Sequence, residues 1–164
     1  MREEKKLVIY YSLTGNTEFV AEMISKYASA DILKIELLRD ISENKVSRFL
    51  ELLRFILFRK KPEIKDILID IDEYDTIYIG TPVWAGNMAA PIRTFFSKYK
   101  FSKKKVAVFC TADKNIGKTL ERMKNELLDN KIIGGTIFLD VLNKKEETND
   151  YVKNWVDGMY MLKE

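Results

Sequence analysis

The chain has no histidine, and among its 164 residues there is one cysteine, Cys110. The first absence removes the usual general base and most zinc constellations. The second excludes an internal disulfide. Nor is there a large charge excess: 28 basic residues stand against 25 acidic ones, a net charge of +3, which gives no reason to expect a nucleic-acid partner. The N-terminus runs from Met1-Arg2-Glu3-Glu4-Lys5-Lys6 into an apolar run without the charged, apolar and small-residue order of a signal peptide, so a cytoplasmic location is the expectation. No repeat, low-complexity tract or linker is visible, and residues 1–164 are expected to form a single domain. Chemistry must therefore come from carboxylates, hydroxyls or a bound cofactor.

Apolar runs alternate with helical patterns, the signature of an α/β chain with a parallel sheet. The expected strands are Leu7 to Tyr11, Ile32 to Leu37, Thr76 to Gly80, Val106 to Thr111 and Ile132 to Val141. The first, third and fourth are continuously apolar, as in strands covered on both faces, whereas Leu33-Lys34-Ile35-Glu36-Leu37 alternates and suits the sheet edge. Right-handed crossovers then give the order 2-1-3-4-5 with helices on both faces. Phe19, Val20, Met23, Ile24 and Tyr27 form one helical stripe. Tyr151, Val152, Trp155, Val156 and Met159 form another, so Trp155 is expected in the core.

The segment Arg48 to Lys61 is unusually apolar for its charge. It is too short and too charged to span a bilayer. It is read first as a crossover helix over Val46 to Phe58, ended by Pro62 and packed on the sheet. A sharper reading makes it a homodimer or partner surface, or a peripheral membrane contact through its basic end.

Between the first strand and its helix lies Ser12-Leu13-Thr14-Gly15-Asn16-Thr17. A strand that turns into a helix through hydroxyls, glycine and asparagine cradles a phosphate, because N–H groups at a helix N-terminus carry partial positive charge. No lysine follows the glycine, so this is not a nucleoside triphosphate loop, and there is no Gly-x-Gly-x-x-Gly dinucleotide fingerprint. A terminal monophosphate is the expected guest. Ligands of open doubly wound sheets bind beyond the carboxyl ends of the strands where the order reverses. That points also to Thr81-Pro82-Val83-Trp84-Ala85-Gly86-Asn87-Met88, with Trp84 as a stacking platform, and to the segment from Cys110-Thr111-Ala112-Asp113 to Gly117, which has no aromatic. Cys110 reads as an inert buried thiol, since a phosphatase-like nucleophile would need an arginine where Ala112, Asn115 and Ile116 stand. Asp113 reads as a loop or cap residue. A phosphorelay receiver would need carboxylates where Tyr11-Ser12 and Gly80-Thr81 lie.

Together these segments resemble the flavodoxin family over nearly the whole chain. The resemblance implies a flavodoxin-like fold binding one FMN noncovalently. The phosphate would lie on Ser12, Leu13, Thr14, Gly15, Asn16 and Thr17, and the ring system between Pro82, Val83, Trp84, Ala85, Gly86 and Asn87 and Thr111, Ala112 and Asp113. In that family a backbone carbonyl of the second loop bonds N5–H of half-reduced flavin, and Gly86 is the residue that would permit the required peptide flip. The chain departs from familiar flavodoxins in lacking a third-loop aromatic and in being slightly basic. The resemblance implies an electron-transfer protein serving redox partner proteins or a small redox substrate. The alternative is an FMN-dependent oxidoreductase, a quinone reductase or protoporphyrinogen oxidase-like enzyme, acting at an exposed flavin face.

Overall fold

The computed structural model describes residues 3–57, 59–114 and 116–161. Phe58 and Asn115, which figured in the expectations above, lie outside them. The elements run β1 (Lys6–Tyr10), α1 (Asn16–Ala28), β2 (Asp31–Lys34), α2 (Lys45–Leu57), β3 (Thr76–Trp84), β4 (Asn87–Met88), α3 (Ala90–Lys98), β5 (Lys105–Ala112), α4 (Thr119–Asn125), β6 (Lys131–Leu139) and α5 (Lys145–Met161). The sheet order is β2-β1-β3-β5-β6 with every neighbouring pair parallel, and β4 folds back antiparallel on β3. Counting the five main strands alone, this is the expected 2-1-3-4-5 order. No helix among the described residues is long and apolar enough to cross a membrane.

Alternation along the central strands divides the core in two. Leu7, Ile9, Ile77, Ile79, Val106 and Val108 face α3 and α4 through Ile92, Phe95, Phe96 and Met123. Val8, Tyr10, Tyr78, Ala107 and Phe109 face α1 and α5 through Val20, Ile24, Val152 and Val156. Strands apolar on both sides are what a sheet covered on both faces requires. Trp155 packs edge-on against Tyr78, Phe109 and Phe138, with ring centroids 6.0–6.4 Å apart, in keeping with its core assignment.

Several boundaries differ from expectation. β2 stops at Lys34 because β1 ends at Tyr10; beyond it Leu37 pairs instead with Ile64 in an isolated antiparallel bridge. β6 ends at Leu139, and Val141 lies in a short 3-10 turn. β3 continues past Gly80 to Trp84. The described part of α2 runs to Leu57, and the chain has left the helix before Pro62, since Arg59 is left-handed (φ 47°), a conformation that cannot continue a right-handed helix. The expectation that α2 packs on the sheet is also corrected, for none of its residues is buried, and Val46, Phe49, Leu50 and Leu57 are exposed. Its contacts with the rest of the molecule include Glu51, whose carboxylate accepts from the Ser42 N–H at 2.9 Å, and Phe55, whose ring lies nearly parallel to that of Trp84 (centroids 6.5 Å, interplanar angle 15°) and whose carbonyl accepts from Arg93 Nη2 at 2.9 Å.

Candidate functional site

The order reverses at β1, which lies between β2 and β3, and the segment leaving it forms the first side of the site. Gly15 is left-handed (φ 91°), its N–H donates to Ser12 Oγ at 3.1 Å, and α1 starts at the next residue with no side-chain cap on its N-terminus. The Asn16 side chain is used within the fold: it donates to Thr14 Oγ1 at 3.1 Å and accepts from the Leu142 N–H at 3.3 Å. Thr17 and Thr111 are both buried, and their hydroxyls lie 2.7 Å apart. That pair joins the first turn of α1 to the end of β5. One hydrogen bond between two hydroxyls uses one proton, so the pair keeps a second hydroxyl proton to donate.

The second side is a hairpin where the sequence suggested a loop. Pro82, Val83 and Trp84 belong to β3, Asn87 to β4, and Ala85 and Gly86 form the connection. Both connecting residues have positive φ (49° and 71°), as a two-residue hairpin turn compatible with strand twist requires. Pro82 is tolerated because β3 has outrun β1, whose pairing ends at Gly80, so one flank has no partner strand. Thr81 Oγ1 accepts from the Ala89 N–H at 2.9 Å and donates to the Pro82 carbonyl at 2.9 Å, closing the base of the hairpin. Its tip is held by Gly86, whose carbonyl accepts from the Lys118 N–H at 3.2 Å and Arg122 Nη1 at 3.4 Å. A Cβ on Gly117 would come within 2.6 Å of Gly86 Cα, so the two backbones meet where only glycine fits.

Thr111 and Ala112 end β5, and Asp113 is exposed in the bend that follows. A cleft of about 150 Å³ joins the three segments, lined from the first by Leu13, Thr14 and Asn16, from the second by Pro82, Val83 and Trp84, and from the third by Thr111, Ala112 and Asp113. Ser12, Gly15 and Thr17 are not part of its lining, and Ala85, Gly86 and Asn87 lie at the hairpin tip rather than in it. A larger hollow of about 300 Å³ lies between α2 and the 38–41 and 60–63 segments. It includes none of the residues that follow β1 or β5, so the smaller cleft is the one the strand order marks.

Near the cleft, Tyr11, Cys110 and Glu18 are shifted from their ordinary values. Burial, with Asp40 adding a smaller effect, pushes the Tyr11 phenol up to about 12. Burial alone lifts the Cys110 thiol to about 12, so it is no nucleophile near neutral pH. Glu18 is held below the usual carboxylate range, chiefly by its hydrogen bond from Lys34 (2.7 Å) and further by that from the Tyr10 hydroxyl (2.9 Å), while partial burial opposes. Trp84 is half-buried, edge-on to Tyr11 (5.8 Å, 89°) and stacked beside Phe55. Sequence reasoning placed Trp84 but missed Tyr11 and Phe55 as its supports. It also missed Arg93 and Arg122, which meet Arg59 beside the hairpin; no spacing in the chain brings those three together.

An open, doubly wound sheet with a cleft at its switch point defines a ligand-binding α/β protein. Residues 5–159 match the family described as Flavodoxin, and the chain belongs to that family. Among solved structures it is similar to a flavoprotein from Lactobacillus acidophilus NCFM in complex with FMN, at 27% identity over 87% of this chain and 98% of that one, with a TM-score of 0.71. The apo-form of the flavoprotein from the same organism gives 26% identity over 88% and 98%, with a TM-score of 0.63. Oxidised flavodoxin 2 from Bacillus cereus, at 18% identity over 96% and 98% with a TM-score of 0.64, shares the fold. No curated protein matches the chain.

Proposed function

We propose that this chain binds one FMN noncovalently and works as a flavodoxin-type electron carrier for redox partner proteins or a small redox substrate. The observation that carries the reading is the cleft where the Ser12–Thr17, Pro82–Trp84 and Thr111–Asp113 segments meet. Its donors suit a phosphate: an uncapped helix N-terminus and the hydroxyl of Thr14, which lines the cleft. Neutral donors and a helix N-terminus hold a phosphate without a counter-charge. Trp84 supplies a flat wall whose position Tyr11 and Phe55 fix. The relative solved with FMN is consistent with that guest. Bound flavin takes up and releases electrons one or two at a time, and the chain's part is to hold it, shape access to it and set its potential. No side chain need act as acid or base.

Ala112 and Asp113, rather than an aromatic, complete the cleft lining with Trp84, and this favours one second reading. A small substrate could share the cleft edge, making the protein an FMN-dependent reductase or oxidase. The visible spectrum of the purified protein tests the main proposal: flavin bands, or their return on reconstitution with FMN, are expected, and a colourless protein that takes up no FMN overturns it. Sustained NAD(P)H oxidation would select the enzyme over the carrier.

A further inference from the structure

Beside the hairpin, outside the cleft already described, three arginines and a lysine converge with little negative charge to balance them. Arg59, Arg93 and Arg122 line a hollow of about 160 Å³ together with Ile56, Trp84 and Met88. The same three arginines, with Lys61, line an adjoining hollow of about 310 Å³. The hollows share Asn87 and Met88 as well, so they form one continuous depression. The single carboxylate among its described lining residues, Glu126, is directed to Lys100 at 3.7 Å. None of the three arginines makes an ion pair among the described residues.

Arg93 is the anchor of this cluster. Its Nη2 donates to the carbonyls of Phe55 (2.9 Å) and Lys60 (3.3 Å), which fixes the guanidinium, while its Nε is buried and has no hydrogen-bond partner. A buried donor left unpaired is costly, and gathering like charges around it adds to the cost. Burial, together with the neighbouring charge of Arg59, makes the Arg93 cation less favourable than usual. An anion seated among the guanidiniums offsets their gathered positive charge, since their planar forks match phosphate and carboxylate oxygens. The Asn87 side chain accepts from the Met88 N–H through Oδ1 at 2.9 Å, which leaves its amide protons to donate. The other wall, made by Ile56, Trp84 and Met88, is apolar.

We propose that this depression binds a small organic phosphate, its dianionic end held by Arg59, Arg93 and Arg122 and its flat or aliphatic body laid against Ile56 and Trp84. Trp84 lines both this depression and the inter-loop cleft, so such a ligand would adjoin whatever that cleft holds. The inference does not depend on flavin binding.

Titrating the isotope-labelled protein with phenyl phosphate and with inorganic phosphate, followed by NMR, tests it. Shifts are expected at the Nε–H groups of Arg59, Arg93 and Arg122, the Gly86 amide and the Trp84 indole N–H, with phenyl phosphate the tighter ligand. R59Q and R122Q should each weaken binding about tenfold, leaving the resonances of residues 12–17 unchanged. Shifts confined to residues 12–17, no shifts, or wild-type affinity in both variants would overturn the proposal. Equal affinity for the two probes would overturn its apolar half.

Discussion

Replacing Thr17 or Thr111 by valine tests the join between the first turn of α1 and the end of β5. The two hydroxyls are 2.7 Å apart, with Thr17 1% and Thr111 3% exposed, so neither can turn to water when its partner is removed. Valine keeps the branched shape and deletes only the hydroxyl. Each single variant therefore leaves one buried hydroxyl without a partner, at a cost of about 1–3 kcal/mol. The double variant strands nothing, and exchanging both partners for apolar groups of the same shape is close to neutral. The two losses should accordingly fail to add, with a coupling of at least about 1 kcal/mol. Urea denaturation of the four proteins, stripped of small molecules and compared at a common m-value, measures the cycle. Losses that add to within about 0.5 kcal/mol would show that the hydroxyls do not depend on one another and would refute the reasoning.

At Gly80, a Cβ would lie 2.1 Å from Phe109 Cζ, and the ring is fully buried, so G80A should lower stability by about 1–3 kcal/mol and F109L should restore part of the loss. Denaturation midpoints check both. Cys110 should resist a thiol reagent at pH 8 in the native protein and react on unfolding, because burial lifts its pKa to about 12; native-state labelling would contradict this. The lowered pKa of Glu18 gives stability that is present above the ordinary carboxylate range and lost as pH falls through the folded value. K34M should thus be the less stable protein at pH 7, by about 0.5 kcal/mol for so exposed a pair, and should converge with wild type in acid. If the chain carries flavin as proposed, its charge of +3 should make the second reduction potential less negative than that of an acidic flavodoxin, and a potentiometric titration giving an equal or lower value would exclude the effect.

The strands were legible as short continuous apolar runs alternating with helical patterns, and right-handed crossovers then set their order. Leu7 to Tyr10, Ile77 to Ile79 and Val106 to Cys110 are apolar at consecutive positions, and all are buried, as strands between two helical layers require. The segment from Ser12 to Thr17 was legible for a similar reason, its hydroxyls and glycine marking a strand-to-helix turn. What stayed hidden depends on lateral contact. Where β3 ends cannot be read from Thr81 to Trp84, since β5 pairs through Pro82 with Thr111 and β4 folds back only after Ala85 and Gly86 take positive φ. For α2, apolar spacing signalled a helix but not its environment. The same leucines and phenylalanine would suit a sheet-covering helix, yet Phe49 and Leu50 are exposed, and the helix meets the hairpin at Phe55 and Ile56.

The overrun of β3 also explains how Trp84 can serve as a wall. A tryptophan on a mobile loop would lose conformational freedom each time it covered a ligand, and that loss would weaken binding. Here the strand that carries it continues beyond β1, so Thr81 through Trp84 project from the sheet edge with β5 and then β4 as support. Thr81 fixes the base of the projection, and the tip is held by the Lys118 bond to Gly86 and the close approach of Gly117. Tyr11 and Phe55 then fix the ring itself. The indole is thereby positioned by backbone pairing from strands whose own places are set by the core, and its ordering cost is met during folding rather than at binding. The same rigidity sets the neighbouring arginines in place, because Arg122 donates to the Gly86 carbonyl and Arg93 to that of Phe55.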